Sequence, residues 1–73
     1  MTTSPATADL AAARSRRDQI AQEIRNIEQE ISHTSDPEAR AALLKRHTSA
    51  HHRLSYAKGA ATRALKRIYA GEG

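Results

Sequence analysis

Hydrophobic positions recur along this chain at alternating intervals of three and four. The clearest run is Ile20, Ile24, Ile27 and Ile31, which extends back through Leu10, Ala13 and Arg17. This rhythm places one narrow apolar seam along the side of an α-helix, the pattern of a helix that presses against another helix. Arg17 alone interrupts it. A second ladder follows through Leu43, His47, Ala50, Leu54, Ala57, Ala61, Ala64 and Ile68, of which half are alanine. Between the ladders, Thr34-Ser35-Asp36-Pro37-Glu38 reads as a turn and a new helix start. Asp36 can cap with Pro37 at the first helical position, or Ser35 can cap with Glu38 reaching back. A proline inside one continuous helix would cost about 3 kcal/mol or more, which favours two helices over one long kinked helix.

The expected organisation is therefore a disordered tail over 1–6, helix one over 7–33 capped by Thr7, a turn at 34–36, helix two over 37–70, and a tail over 71–73 that opens on Gly71 as a left-handed cap. The fold class is all-α, a two-helix antiparallel coiled-coil hairpin. Two registers satisfy the ladders. In one, facing residues sum to 74, so that Ile24 meets Ala50; in the other they sum to 67, so that Ile24 meets Leu43. The seam rhythm is the same in both. Gly59 lies off the seam, where it lowers helix propensity by about 1 kcal/mol relative to alanine.

Composition changes the picture by showing how little holds such a hairpin together. The chain has 73 residues, no cysteine, no tryptophan and no phenylalanine, and its aromatic side chains are Tyr56 and Tyr69. Disulfides and thiolate metal sites are excluded, and a core of this size seldom leaves more than about 3 to 5 kcal/mol of net stability. A further stripe on helix two, Leu44, His51, Lys58 and Leu65 with Tyr69 one turn on, widens its apolar side. A second copy is the expected cover, giving a homodimeric four-helix bundle. The longest apolar runs span about four residues, against roughly 20 for a membrane span, and nothing at the start reads as a signal sequence. A cytoplasmic location is the expectation.

Charge supplies the functional lead. Between Ala39 and Gly71 there are eight basic residues and no acidic one. Folding the chain as a hairpin brings Arg14, Arg16 and Arg17 near Lys58, Arg63, Lys66 and Arg67 at the open end, while Glu28, Glu30, Asp36 and Glu38 gather at the turn, so the molecule is expected to be an electrical dipole along its length. Clustered Lys and Arg release counterions from a phosphate backbone, so these seven cations are the candidate nucleic-acid contacts, with Tyr69 available to stack on an unpaired base. The rival function is a protein-interaction module that docks Leu44, Leu65, Ile68 and Tyr69 on a larger partner. Long, near-antiparallel helices do not suit base reading in the helix-turn-helix manner.

Other chemistry finds little footing. His47 and His51 stand four apart on one helical face, a spacing used by zinc ligands, but no third ligand type and no intervening glutamate accompanies them, so neither a metal nor a cofactor is expected. Ser15, Ser35, Ser49 and Ser55 have no acidic orienting partner in a recognisable arrangement. With no glycine-rich phosphate loop either, the chain is expected not to be an enzyme.

Overall fold

The computed structural model describes residues 4–71, which form two helices, α1 (Pro5–His33) and α2 (Pro37–Tyr69), packed against each other as a hairpin. The hairpin measures 53 × 19 × 11 Å. Both helices start in the same way. Ser4 and Asp36 take extended backbone conformations, each accepts a hydrogen bond from the backbone N–H three residues on (Thr7 at 3.2 Å, Ala39 at 3.0 Å), and each is followed by a proline at the first helical position. Proline fits there because its missing N–H would have had no helical partner and its fixed φ suits the first turn.

This corrects the expected start of helix one. Ser4, rather than Thr7, is the cap, and the helix begins at Pro5, so Ser4 to Ala6 are no tail; Ala6 is fully buried as the first seam residue. Residues 1–3 and 72–73 of the expected tails lie outside the described residues. At the far end, Gly71 has φ 86°, the left-handed conformation that glycine adopts without a Cβ clash, and its N–H bonds to the Ile68 carbonyl at 3.0 Å.

The turn is stitched from one side. Arg40, in the second turn of α2, donates to the carbonyls of Ile31 at 2.8 Å and Thr34 at 3.1 Å, and Thr34 Oγ1 donates to the Glu30 carbonyl at 2.6 Å. These bonds supplement the Thr34 N–H bond to the Ile31 carbonyl at the end of α1, and a cation at that end complements the helix dipole.

The seam residues are the core. Ile20, Ile24, Ile27, Leu43, Ala50 and Ala57 are buried in one cluster, with Ile31 and Leu54 packed partly against it. Leu10, Ala13 and Ala64 continue the burial toward the open end. The register is the longer one. The interhelical ion pairs Asp9–Arg67, Glu23–Arg53 and Glu30–Arg46 each sum to 76, close to 74 and far from 67. In this register Leu10, Arg17 and Ile24 face alanine on α2, which lets the helices approach closely there, while Ile20 and Ile31 face Leu54 and Leu43. Arg17, level with the buried Ala57, is half-buried, and its guanidinium donates to Asp18, with Nε 3.3 Å and one terminal nitrogen 3.2 Å from the carboxylate.

Candidate nucleic-acid interface

Once the register is set, the positions flanking the seam form two edges. Along one edge Asp9, Arg16, Glu23 and Glu30 recur every seven residues on α1, and Arg46, Arg53, Ala60 and Arg67 do the same on α2. They meet as the rungs of a ladder. Arg67 donates to Asp9 at 2.9 Å; Arg53 grips Glu23 with two bonds of 2.9 and 3.1 Å; Arg46 lies 3.6 Å from Glu30. The remaining rung is Arg16 against Ala60, where no acid is available.

The two-bond contact is the strongest of these. Hydrogen bonding from Arg53 holds the Glu23 carboxyl below its ordinary pKa, against the opposing effect of desolvation and with further attraction from the charges of Arg53 and Arg46. Arg53 is raised in turn by the same hydrogen bond and by the Glu23 charge. Both groups are solvent-exposed, so the pair fixes register more than it adds stability.

An open groove of about 890 Å³ runs along this edge between the Asp9–Arg67 and Glu23–Arg53 rungs. Alanines form much of its floor, and Arg16, Arg63, His52 and Tyr56 stand at its walls. The opposite edge carries Arg14, Ala21 and Glu28 on α1 and Leu44, His51, Lys58 and Leu65 on α2. Arg14 and Lys58 fall level there as like charges.

The seven candidate phosphate contacts therefore do not form one patch. Arg16, Arg63 and Arg67 border the groove, Arg14 and Lys58 lie on the opposite edge, Arg17 is at the seam and Lys66 is on the outer side of α2. Arg67 and Arg17 spend part of their charge on Asp9 and Asp18. Even so, the open half (residues 5–19 and 56–71) holds seven basic and two acidic residues, a net +5. The expected dipole thus runs from a basic open end to a turn half without net charge. The five acids of the turn half are matched by Arg25, Arg40, Lys45, Arg46 and Arg53, so residues 20–55 sum to zero rather than to a negative pole.

The candidate partner-binding residues are likewise divided. Leu44 is 51% exposed and Tyr69 80%, whereas Leu65 and Ile68 are half-buried. Leu44 and Leu65 are separated by 21 positions, about 31 Å along the helix at 1.5 Å per residue. Tyr56, which sequence reading passed over, is as exposed as Tyr69 and stands on the groove.

His47 is half-buried at the seam. Its Nε2 is 3.5 Å from Glu28 but without hydrogen-bond geometry, and its ring meets that of His51 edge-on with centroids 4.6 Å apart. Among the described residues no group of three or more His, Asp or Glu side chains is arranged to hold a metal ion, and no helix is long and apolar enough to cross a membrane. Comparison of the chain with protein-family models, with curated proteins and with solved structures finds no match.

Proposed function

We propose that this hairpin is a small non-enzymatic nucleic-acid-binding protein that holds phosphate backbone at its basic open end. The observation that carries the reading is the concentration of net +5 on the open half of a molecule whose turn half is neutral. The side chains of Arg14, Arg16, Lys58, Arg63 and Lys66 make no ion pair or hydrogen bond among the described residues and are free to meet phosphates. Contacts of this kind give affinity that depends on salt and little on sequence, which suits a regulator or accessory factor. A fluorescence titration against duplex DNA and structured RNA at low and physiological salt tests it. Binding at low salt that weakens as salt rises is expected; no binding at low salt, or binding indifferent to salt, overturns it.

Association into a homodimeric four-helix bundle belongs to the same proposal, supported by the exposed Leu44 and the half-buried Leu65 near the two ends of the edge away from the groove. Sedimentation at micromolar concentration is expected to return twice the single-chain mass, and a single-chain mass with a sharp melt contradicts it. Should Leu44 and the exposed Tyr69 instead dock on a different protein, a pull-down would return that protein after nuclease treatment, and Leu65→Asp would abolish its capture.

A further inference from the structure

Of the four rungs between the helices, one is built from an arginine and an alanine, and a groove opens at that rung. Elsewhere the ladder pairs every acid with an arginine across the interface: Asp9 with Arg67 and Glu23 with Arg53, both at 2.9 Å. These neighbours cannot serve Arg16 without giving up their own partners. Arg63, one turn along α2 from Ala60, lines the same groove, and its side chain makes no ion pair or hydrogen bond among the described residues. Its side chain lies back over Gly59, where a Cβ would come within 3.3 Å of the guanidinium. Arg16 and Arg63, neither paired with an acid, thus both border a space lined by the alanines Ala57, Ala60 and Ala64 on α2 and Ala12 and Ala13 on α1, and a small rotation of the Arg63 side chain away from Gly59 brings its guanidinium to that space.

We propose that this unpaired rung is an anion site, at which a phosphate group sits over Ala60 between the guanidinium groups of Arg16 and Arg63. An anion there completes the ladder by supplying the charge that a glutamate at position 60 would have supplied. Phosphate suits the site because its several acceptor oxygens accept from two planar guanidinium forks at once, and such charge-assisted contacts are roughly twice as strong as neutral ones. The small side chains of the floor leave the phosphate room to approach. Tyr56, one turn before Ala60 and 80% exposed, offers a ring to a base attached to that phosphate. The proposal deepens the reading of a backbone-binding open end, on which it rests for the source of the phosphate, a polynucleotide rather than a free phosphate compound.

The test is to supply the missing acid. In the full-length chain, Ala60→Glu places a carboxylate opposite Arg16 as Glu23 lies opposite Arg53, and Ala60→Gln is the uncharged control. Sodium pyrophosphate is titrated by calorimetry and a fluorescein-labelled single-stranded oligonucleotide by anisotropy, at low salt. Ala60→Glu is expected to keep its helicity, to melt no lower than the parent, and to bind both ligands at least about tenfold more weakly, while Ala60→Gln binds nearly as the parent does. Undiminished binding of both ligands by a folded Ala60→Glu overturns the site while leaving the backbone-binding reading in place. Pyrophosphate binding that Ala60→Glu abolishes, with no oligonucleotide binding by the parent, keeps the site and overturns that reading; binding of neither ligand by the parent overturns both. Should Ala60→Glu fail to fold, Arg16→Gln with Arg63→Gln, both made at exposed positions, is expected to show the same tenfold loss, and its absence overturns the site.

Discussion

Ile27 is the most deeply buried large side chain of the hairpin, 2% exposed, and it sits in the middle of the isoleucine ladder. Replacing it with alanine removes three carbons from a seam that has few others. At about 0.8 kcal/mol per buried methylene the transfer loss is about 2.4 kcal/mol, and the space left behind adds to it. Because the seam of a two-helix hairpin is open along both edges, water and neighbouring side chains fill that space in part, and the expected cost is about 3 kcal/mol. A hairpin with about 4 kcal/mol of net stability would then retain about 1, and its unfolded fraction would rise from on the order of one chain in a thousand to roughly one in six. Ile31→Ala removes the same atoms from a half-buried position and is expected to cost about half as much. Urea titration followed by circular dichroism at 222 nm measures both. Equal midpoints for the two variants, or an Ile27→Ala midpoint unchanged from the parent, would refute the seam as described.

Gly59→Ala is expected to raise stability by up to about 1 kcal/mol, because it restores helix propensity and the Arg63 guanidinium 3.3 Å away ends a flexible side chain that can move aside; a thermal melt lower than the parent's would show that Arg63 is held there. The Glu23 carboxyl, held below the ordinary 4.5, binds protons more weakly folded than unfolded, so its contribution to stability is complete above that value and is lost as pH falls through its lowered one. Thermal melts from pH 6 downward are expected to fall in that range, and Glu23→Gln is expected to flatten part of the fall; an acid limb identical in the two proteins would mean that the carboxylate does not hold Arg53 in solution.

Much of this architecture was legible in the residues. The isoleucine spacing marked the seam, Asp36-Pro37 marked the turn, and the alanine-rich second ladder marked close approach. The first helix start was legible too and was missed: Ser4-Pro5 repeats the cap and proline of Asp36-Pro37, but the small, polar residues around it resemble a tail until Ala6 is seen to continue the seam. Register was ambiguous because a three-four rhythm repeats itself every heptad, so that sliding one helix by seven residues leaves the apolar match unchanged. Charge resolves it. In the shorter register Arg16 would face Arg53, whereas the longer one gives Glu23 to Arg53, Asp9 to Arg67 and Glu30 to Arg46. The division of the seven basic candidates between two edges follows from that register, and so does the groove. Neither could be read from a count of charges along the chain, which also concealed the neutral sum of the turn half. Arg40 as the clasp of the turn left no such signal, since its bonds go to backbone carbonyls six and nine residues away.

The proposed interface holds phosphate with the unpaired cations of the open half and not with the basic surface at large. Its most direct test is the salt dependence of binding to labelled duplex DNA, measured for the parent, for Arg16→Gln/Arg63→Gln/Lys66→Gln at the open end, and for Lys45→Gln/Arg46→Gln near the turn. Each phosphate contact contributes about −0.9 to the slope of log affinity against log salt. The open-end variant is expected to flatten the slope by about 2 to 3 relative to the parent, while the turn-half variant keeps the parent slope. A slope unchanged in the open-end variant, or reduced as much by the turn-half changes, would show that phosphate is not held there.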